Sequence, residues 1–256
     1  MSRTPPREFV PPVQKFRIRY AKRGRLRFAS HRDFQRAFER ALRRAAVPMS
    51  YSAGFSPHPK ISYANAAPTG AASEAEYLEI SVAEHCDAAQ LRDRLDAALP
   101  DGFAILDVVE ARTPDFAARL QASQWRIELP GVAADEAASA WQALWERESA
   151  PVERLTKDGR RTLDVRPALL SGAAPEGASA GDCAILTVVV QQVTPAVRPD
   201  DVLAALRSVA GLVPPVPPRV TREMQGPVEV AELAARSARE ISLGDPLAAD
   251  READQT

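Results

Sequence analysis

The chain has 256 residues, 45% hydrophobic and 26% charged, with a formal net charge of −1, the profile of a globular protein of one large domain or two ordinary ones, two being the better fit. Its two cysteines, Cys86 and Cys183, stand far apart without a CxxC, which excludes a disulfide framework and a cysteine-held zinc or iron–sulfur centre and suits a reducing cytoplasm. No apolar run is long enough for a membrane span, and the opening MSRTPPREFVPP lacks the apolar centre of a signal peptide, so a cytoplasmic protein is expected.

Residues 1–13 carry four prolines and two arginines without periodicity and read as a flexible leader. From Lys15 to Tyr20 the residues alternate, Phe16, Ile18 and Tyr20 on one side and Lys15, Arg17 and Arg19 on the other, which predicts a half-buried strand with a cationic second face. KRGRLRF turns at Gly24 and is expected to return Leu26 and Phe28 to the core. Ser30 with Asp33 three positions on resembles a capping box, and Phe34, Phe38, Ala41, Leu42 and Ala45 follow at helical spacing, predicting a helix over 31–46 that Pro48 stops. The other face of that helix carries Arg32, Arg36, Arg40, Arg43 and Arg44. In SAGFSPHPK, Gly54, Pro57 and Pro59 forbid regular structure, so a broken strand around a stiff loop is expected over 49–63. A loop over 66–75, a strand over 77–83, a helix over 87–99 and a strand over 103–109 complete the order of a split βαββαβ, or ferredoxin-like, unit.

The second half repeats that order. A strand over 125–129 leads to a helix over 135–148 with Trp141, Leu144 and Trp145 at helical spacing, then a strand pair over 152–165 turning at Asp158-Gly159. A strand over 184–193, a helix over 199–210 and a short strand over 219–224 follow, and the Gly-, Ala- and Ser-rich stretch 171–181 reads as a loop. The fold class expected is α+β, with two tandem ferredoxin-like units, the second more irregular. The basic domain covers 14–112, the boundary falls within 111–122, and the second domain covers 123–225. Residues 226–256 turn acidic and Ala-rich; apart from a possible short helix near 229–239, this tail is expected to be largely disordered.

The near-neutral total conceals a polarity. Residues 1–60 hold 15 Lys and Arg against 3 Asp and Glu, a net of +12, and residues 61–256 hold 18 against 31, a net of −13. Such asymmetry points to an anionic partner, nucleic acid first. Cations from strand, turn, helix and loop converge, and Arg17, Arg19, Lys22, Arg25, Arg27, Arg36 and Lys60 form the candidate anion- or RNA-binding set. It would act through phosphate contacts, because no RNP-like aromatic pattern occurs. His31 and His58 read either as a helix-cap residue and a turn residue or as a general acid–base pair at an RNA phosphate, the arrangement of a metal-free ribonuclease. His85 beside Cys86, with Cys183 distant, does not supply a tetrahedral site, so no metal is expected. Glu74 and Glu76 share parity at the head of a strand; they are either simply exposed or join a salt-bridge network that holds the 54–60 loop. Ser30, Asp33, Gly54, Pro57, Pro59, Glu74 and Glu76 are the expected scaffold of the site. Neither glycine-rich phosphate-loop pattern is present.

The stretches RIRYAKRGRLRFASHRDFQRAFERALRRA, PMSYSAGFSPHPKISYA, APTG and SEAEYLEI resemble the signature of the radical SAM-linked protein family, a domain of unknown function. The resemblance covers residues 15 to about 225, and its specific part is confined to 15–80. It implies a radical SAM enzyme as partner, with S-adenosylmethionine and the iron–sulfur cluster belonging to that partner, since this chain has no CxxxCxxC. It carries over no catalytic residue. The expected function is that of a non-catalytic accessory or substrate-binding protein acting with that enzyme in tRNA or rRNA modification or processing. One alternative is a metal-independent endoribonuclease using His31 and His58, since tandem ferredoxin-like units also resemble the CRISPR repeat endoribonucleases; the glycine-rich segment those enzymes carry near the C-terminus is missing here. The other is a protein–protein adaptor whose basic face meets an acidic partner.

Overall fold

In the computed structural model, which describes residues 11–53, 55–156, 159–174, 183–232 and 239–254, the alternating segment after the prolines forms β1 (Gln14–Lys22). Phe16, Ile18 and Tyr20 are buried on one side of it. A 3₁₀ turn (Gly24–Phe28) begins at Gly24, whose φ of 54° lies in the left-handed region that glycine enters without strain. The helix α1 (His31–Arg44) is started by a complete capping box: Ser30 Oγ accepts from the Asp33 N–H at 3.2 Å, and the Ser30 N–H donates to Asp33 Oδ2 at 3.0 Å. Phe34, Ala37, Phe38, Ala41 and Leu42 recur at helical spacing and are buried. β2 (Ile61–Ala64), β3 (Ala72–Val82), α2 (Ala88–Ala98) and β4 (Phe103–Glu110) follow. Asp87 caps α2 by accepting from the Gln90 N–H at 2.8 Å.

The chain divides into two units, Met1–Ala117 together with Leu247–Thr256, and Ala118–Pro246. In the first, the strands stand in the order β4-β1-β3-β2 with every neighbouring pair antiparallel, the order of a split βαββαβ unit. Both helices pack on one face, where Phe34 stacks on Tyr20 with ring centroids 4.0 Å apart and Leu91 and Leu95 close the cluster. Leu26 packs against that cluster, but Phe28 is 60% exposed. Its expected return to the core fails because the turn runs as a 3₁₀ helix, whose period differs from the two-residue alternation of a strand.

After a short helix α3 (Phe116–Arg119), the remaining elements are β5 (Ala122–Pro130), α4 (Ala134–Trp145), β6 (Pro151–Thr156), β7 (Gly159–Asp164), β8 (Leu169–Ala173), β9 (Cys183–Gln191), α5 (Pro199–Ala210), β10 (Arg219–Gly226), β11 (Val228–Glu232), β12 (Arg239–Leu243) and α6 (Ala248–Asp254). In the second unit the order β10-β5-β9-β8 is again antiparallel throughout, while β6-β7 and β11-β12 form separate hairpins. The start of the stretch read as a loop is the strand β8. Its Gly172 lies under Trp141, where a Cβ would overlap the indole, so glycine serves here as a packing residue rather than as a breaker. The α+β class expected from the sequence is the class found.

The acidic end of the chain is not structureless where it is described. β11 and β12 pair from Val228↔Leu243 to Glu232↔Arg239, so strand replaces the short helix expected near 229–239; residues 233–238 lie outside the described part. Leu247 is 0% and Asp250 1% exposed, and α6 belongs to the first unit. Of the expected leader, residues 1–10 lie outside the described part, and the Val13 N–H donates to Val82 O at 2.9 Å. Among the described residues no helix is long and apolar enough to cross a membrane.

Candidate nucleic-acid interface

The cationic face of β1 is interior surface. Arg17 is 3% exposed: its guanidinium pairs with Asp250, donates from Nε to Glu79 at 3.3 Å and from Nη1 to Thr113 Oγ1 at 3.2 Å, and lies over the Phe116 ring at 4.9 Å. The Asp250 carboxylate also accepts from the backbone N–H groups of Arg112 and Thr113 at 2.9 Å each, and from Thr113 Oγ1 at 2.6 Å. Burial alone would raise this carboxyl, but the hydrogen bonds from Thr113, Arg17 and Arg112 outweigh it and hold the group at about 2. Arg251 pairs with Asp107, and Arg112 bridges Glu110 at 3.0 Å to Asp254 at 2.6 Å. Thus α6 is fixed over the sheet face opposite the helices, the face on which an RNA-recognition module stacks its bases.

These contacts correct part of the expected anion-binding set. Arg17 is enclosed and neutralised, which removes it from contact with a phosphate. Lys22 is 6% exposed with Nζ 3.3 Å from Pro68 O, and its burial has the same effect. Arg19 is half-buried and donates to Glu74 O at 2.8 Å. Arg23 forms a bidentate pair with Glu74 at 2.7 and 2.5 Å, so Glu74 serves the turn after β1 rather than the 54–60 loop. Glu76, 2% exposed, accepts from the Ala67 N–H at 3.1 Å. A cleft of about 480 Å³ beside Arg17 is lined by Lys15, Asn65, Glu79 and Thr113, among others, and Glu79 meets both Lys15 and Arg17, at 3.6 and 3.3 Å. Its cations are already matched.

The segment around SAGFSPHPK forms a narrow hairpin. Ser52 N donates to His58 O and Lys60 N to Ser50 O, each at 2.8 Å, and Tyr51 bridges Pro59. The hairpin is anchored on β3, where Ser50 N donates to Ser81 O at 2.8 Å and Ser81 N to Lys60 O at 3.1 Å. Lys60 is half-buried at this base, and Phe55, at the tip, is 94% exposed. Gly54 lies outside the described residues. Pro57 and His58 line a cleft of about 230 Å³ with Glu39, Arg43, Met49 and Tyr51, among others. His31, at the other end of α1, lies 3.1 Å from Gln35 and meets the Tyr63 ring edge-on at 4.9 Å. His31 and Glu39 are about 12 Å apart along the helix axis, and no contact joins the two imidazoles among the described residues. The two histidines thus have different neighbours, His31 with Gln35 and Tyr63 and His58 in the cleft with Glu39 and Arg43. Among the described residues no group of three His, Cys, Asp or Glu side chains is placed to hold a metal ion.

What remains open to solvent is the outward face of α1. Arg32, Arg36, Arg40, Arg43 and Arg44 are exposed, and among the described residues none is in a salt bridge, Arg36 acting on Asp33 only through space. Arg32, Arg36, Arg40 and Arg43 fall within an arc of about 80° and span about 16 Å along the axis. Asp33 is hydrogen-bonded to Ser30, whose hydroxyl and backbone N–H, together with the nearby Arg36, lower its pKa, and the half-buried Glu39 lies near Tyr63 and lines the cleft it shares with Arg43. Arg25 is exposed ahead of the helix, and the half-buried Arg27 lies over the Phe28 ring at 4.7 Å. Of the expected set, Arg25, Arg27 and Arg36 belong to this surface. Sequence reasoning placed Arg32, Arg40, Arg43 and Arg44 on the helix without giving them a role. The spacing of Arg32, Arg36, Arg40 and Arg43, four, four and three residues, was the available signal.

Residues 15–199 match the family described as "Uncharacterized protein conserved in bacteria (DUF2344)". The chain belongs to this family. No curated protein matches it. Among solved structures, DyPB from Rhodococcus jostii is 13% identical over 77% of this chain and 84% of its own, with a TM-score of 0.22. The encapsulated DyP-type peroxidase from Mycobacterium smegmatis is 12% identical over 87% and 94%, with a TM-score of 0.23. Likenesses this slight say nothing of what the DUF2344 chain does.

Proposed function

We propose that this DUF2344 protein is a non-catalytic accessory protein whose first unit grips RNA and presents it to a separately encoded radical SAM enzyme, in the modification or processing of tRNA or rRNA. One observation carries the reading: the arginines of α1 form an exposed stripe without salt bridges among the described residues, whereas Arg17 and Lys22 of the same basic block are buried against their partners and Arg23 is paired with Glu74 at the surface. Unpaired cations on one face attract a polyanion and release its counterions on contact. The rigid helix fixes their spacing, so they can follow a phosphate backbone without further ordering. The radical SAM partner is supported by the resemblance of residues 15–80 to the radical SAM-linked family. The S-adenosylmethionine and the cluster would belong to that partner.

The test is binding of purified chain to total tRNA and to rRNA fragments, followed by mobility shift, with wild type beside Arg36→Gln/Arg40→Gln. Retarded, intact RNA with wild type and at least about tenfold weaker retardation with the double variant is expected, two lost charge-assisted contacts being worth more than 1.4 kcal/mol. RNA bound equally by both proteins, or by neither, overturns the reading.

A further inference from the structure

The exposed aromatic side chains of the first unit lie at the two ends of the α1 arginine stripe. Phe28, 60% exposed, stands two residues before the N-cap Ser30. Phe55, 94% exposed, crowns the hairpin that lies beside the later turns of α1, where Arg43 and Tyr51 share a cleft of about 230 Å³. An aromatic ring held this far into water by a hairpin adds nothing to the core and leaves its face free to stack. The hairpin is not loose: four backbone hydrogen bonds fix its arms and base. The Arg27 guanidinium over Phe28 adds a planar cation of the kind that stacks on bases.

From this arrangement we infer that the RNA held by α1 is single-stranded, with its phosphates along Arg32, Arg36, Arg40 and Arg43 and unpaired bases stacked on Phe28 at one end and on Phe55 at the other. The inference rests on the RNA-gripping reading and names its substrate class. Charge alone would take a duplex equally well, but paired bases offer no free face to a side chain, and the deep major groove of A-form RNA excludes it. Alternating cations and aromatic platforms are how single strands are held without sequence readout. The cleft under the hairpin is smaller than the roughly 300 Å³ at which ligand pockets begin. It therefore suits the edge of one base rather than a complete small-molecule cofactor. At the helix N-terminus the capping box already takes up the Ser30 and Asp33 N–H groups.

The experiment compares the full chain bound to a labelled unstructured oligoadenylate, to a blunt RNA duplex of equal charge, and to polyglutamate, by fluorescence anisotropy at fixed salt. Wild type should favour the single strand over the duplex at least tenfold. Phe55→Ala and Phe28→Ala should each weaken the single-strand complex about 5- to 100-fold, leave the duplex unchanged and leave the salt dependence intact, because stacking on an uncharged ring releases no counterions. Both positions are exposed, and an unchanged melting temperature checks that the fold survives. Equal affinity for duplex and single strand, or indifference to both phenylalanine changes, overturns the single-strand inference while leaving the RNA grip standing. Failure to bind any RNA removes both. Binding of polyglutamate alone would identify the surface as one for an acidic protein.

Discussion

Arg17 and Asp250, 233 residues apart in the chain, meet as a buried ion pair on the sheet face opposite the helices. Their meeting turns a stripe of arginines that reads as solvent-facing into interior surface. It also ties α6 to the first strand and leaves α1 as the cationic face that an external anion can reach.

Replacing Asp250 with Asn keeps the size and one acceptor but leaves the buried Arg17 guanidinium with only the Glu79 carboxylate, at 3.3 Å and shared with Lys15. The expected loss is about 3 kcal/mol near neutral pH, the cost of breaking a buried pair from one side. The carboxyl is held at about 2, below the roughly 3.9 of an unfolded Asp. A depressed carboxylate adds stability that is present above the unfolded pKa and is lost as pH falls through the folded one. The gap between wild type and Asp250→Asn in denaturant midpoints should therefore narrow as pH falls from about 4 to about 2. A gap that stays constant over that window would show that the pair is not the source of the difference.

The sequence revealed the half of each strand that meets the helices and concealed the other half. Phe16, Ile18 and Tyr20 were legible as core because alternation identifies an apolar face. Alternation assigns the opposite face to water by default, and only a covering element can change that. Asp250 is that cover's anchor, but in the sequence it is one acid within an acidic tail, and nothing local pairs it with Arg17. The β8 strand was missed for a related reason: glycine reads as a breaker until the Trp141 ring above Gly172 shows what it makes room for. The α1 stripe needed no tertiary information, since helical spacing alone gathers its arginines on one side.

Gly172→Ala places a methyl group in the space of the Trp141 indole, which is 5% exposed and held in the second unit's core. Overpacking of this kind costs about 1–3 kcal/mol. A lowered melting temperature is expected, with RNA affinity unchanged. An equally stable variant would mean that the ring has room to move aside.

Arg23 and Glu74, with side chains 49% and 32% exposed, provide the contrast to the buried pair. Glu74→Gln should cost no more than about 1 kcal/mol, and added salt should shrink that difference. A loss as large as that of Asp250→Asn would place Glu74 in the structural framework of the sheet.

His31 and His58 occupy different surroundings, so RNA incubated with the chain in the absence of metal should stay intact, and His31→Ala should leave that outcome unchanged. Gel analysis of the RNA decides it. Cleavage by wild type that His31→Ala abolishes would establish the endoribonuclease alternative.

The salt dependence of RNA affinity tests the central claim most directly. Between about 50 and about 200 mM salt, the logarithm of the binding constant should fall linearly with the logarithm of salt concentration, by about 0.7 per phosphate contacted on a single strand. Arg36→Gln/Arg40→Gln should flatten that slope by about 1.4, and Arg19→Gln, at a side chain already committed to the Glu74 carbonyl, should leave it unchanged. An unaltered slope in the α1 double variant, or a slope that responds to Arg19 instead, would contradict the assignment of the grip to α1.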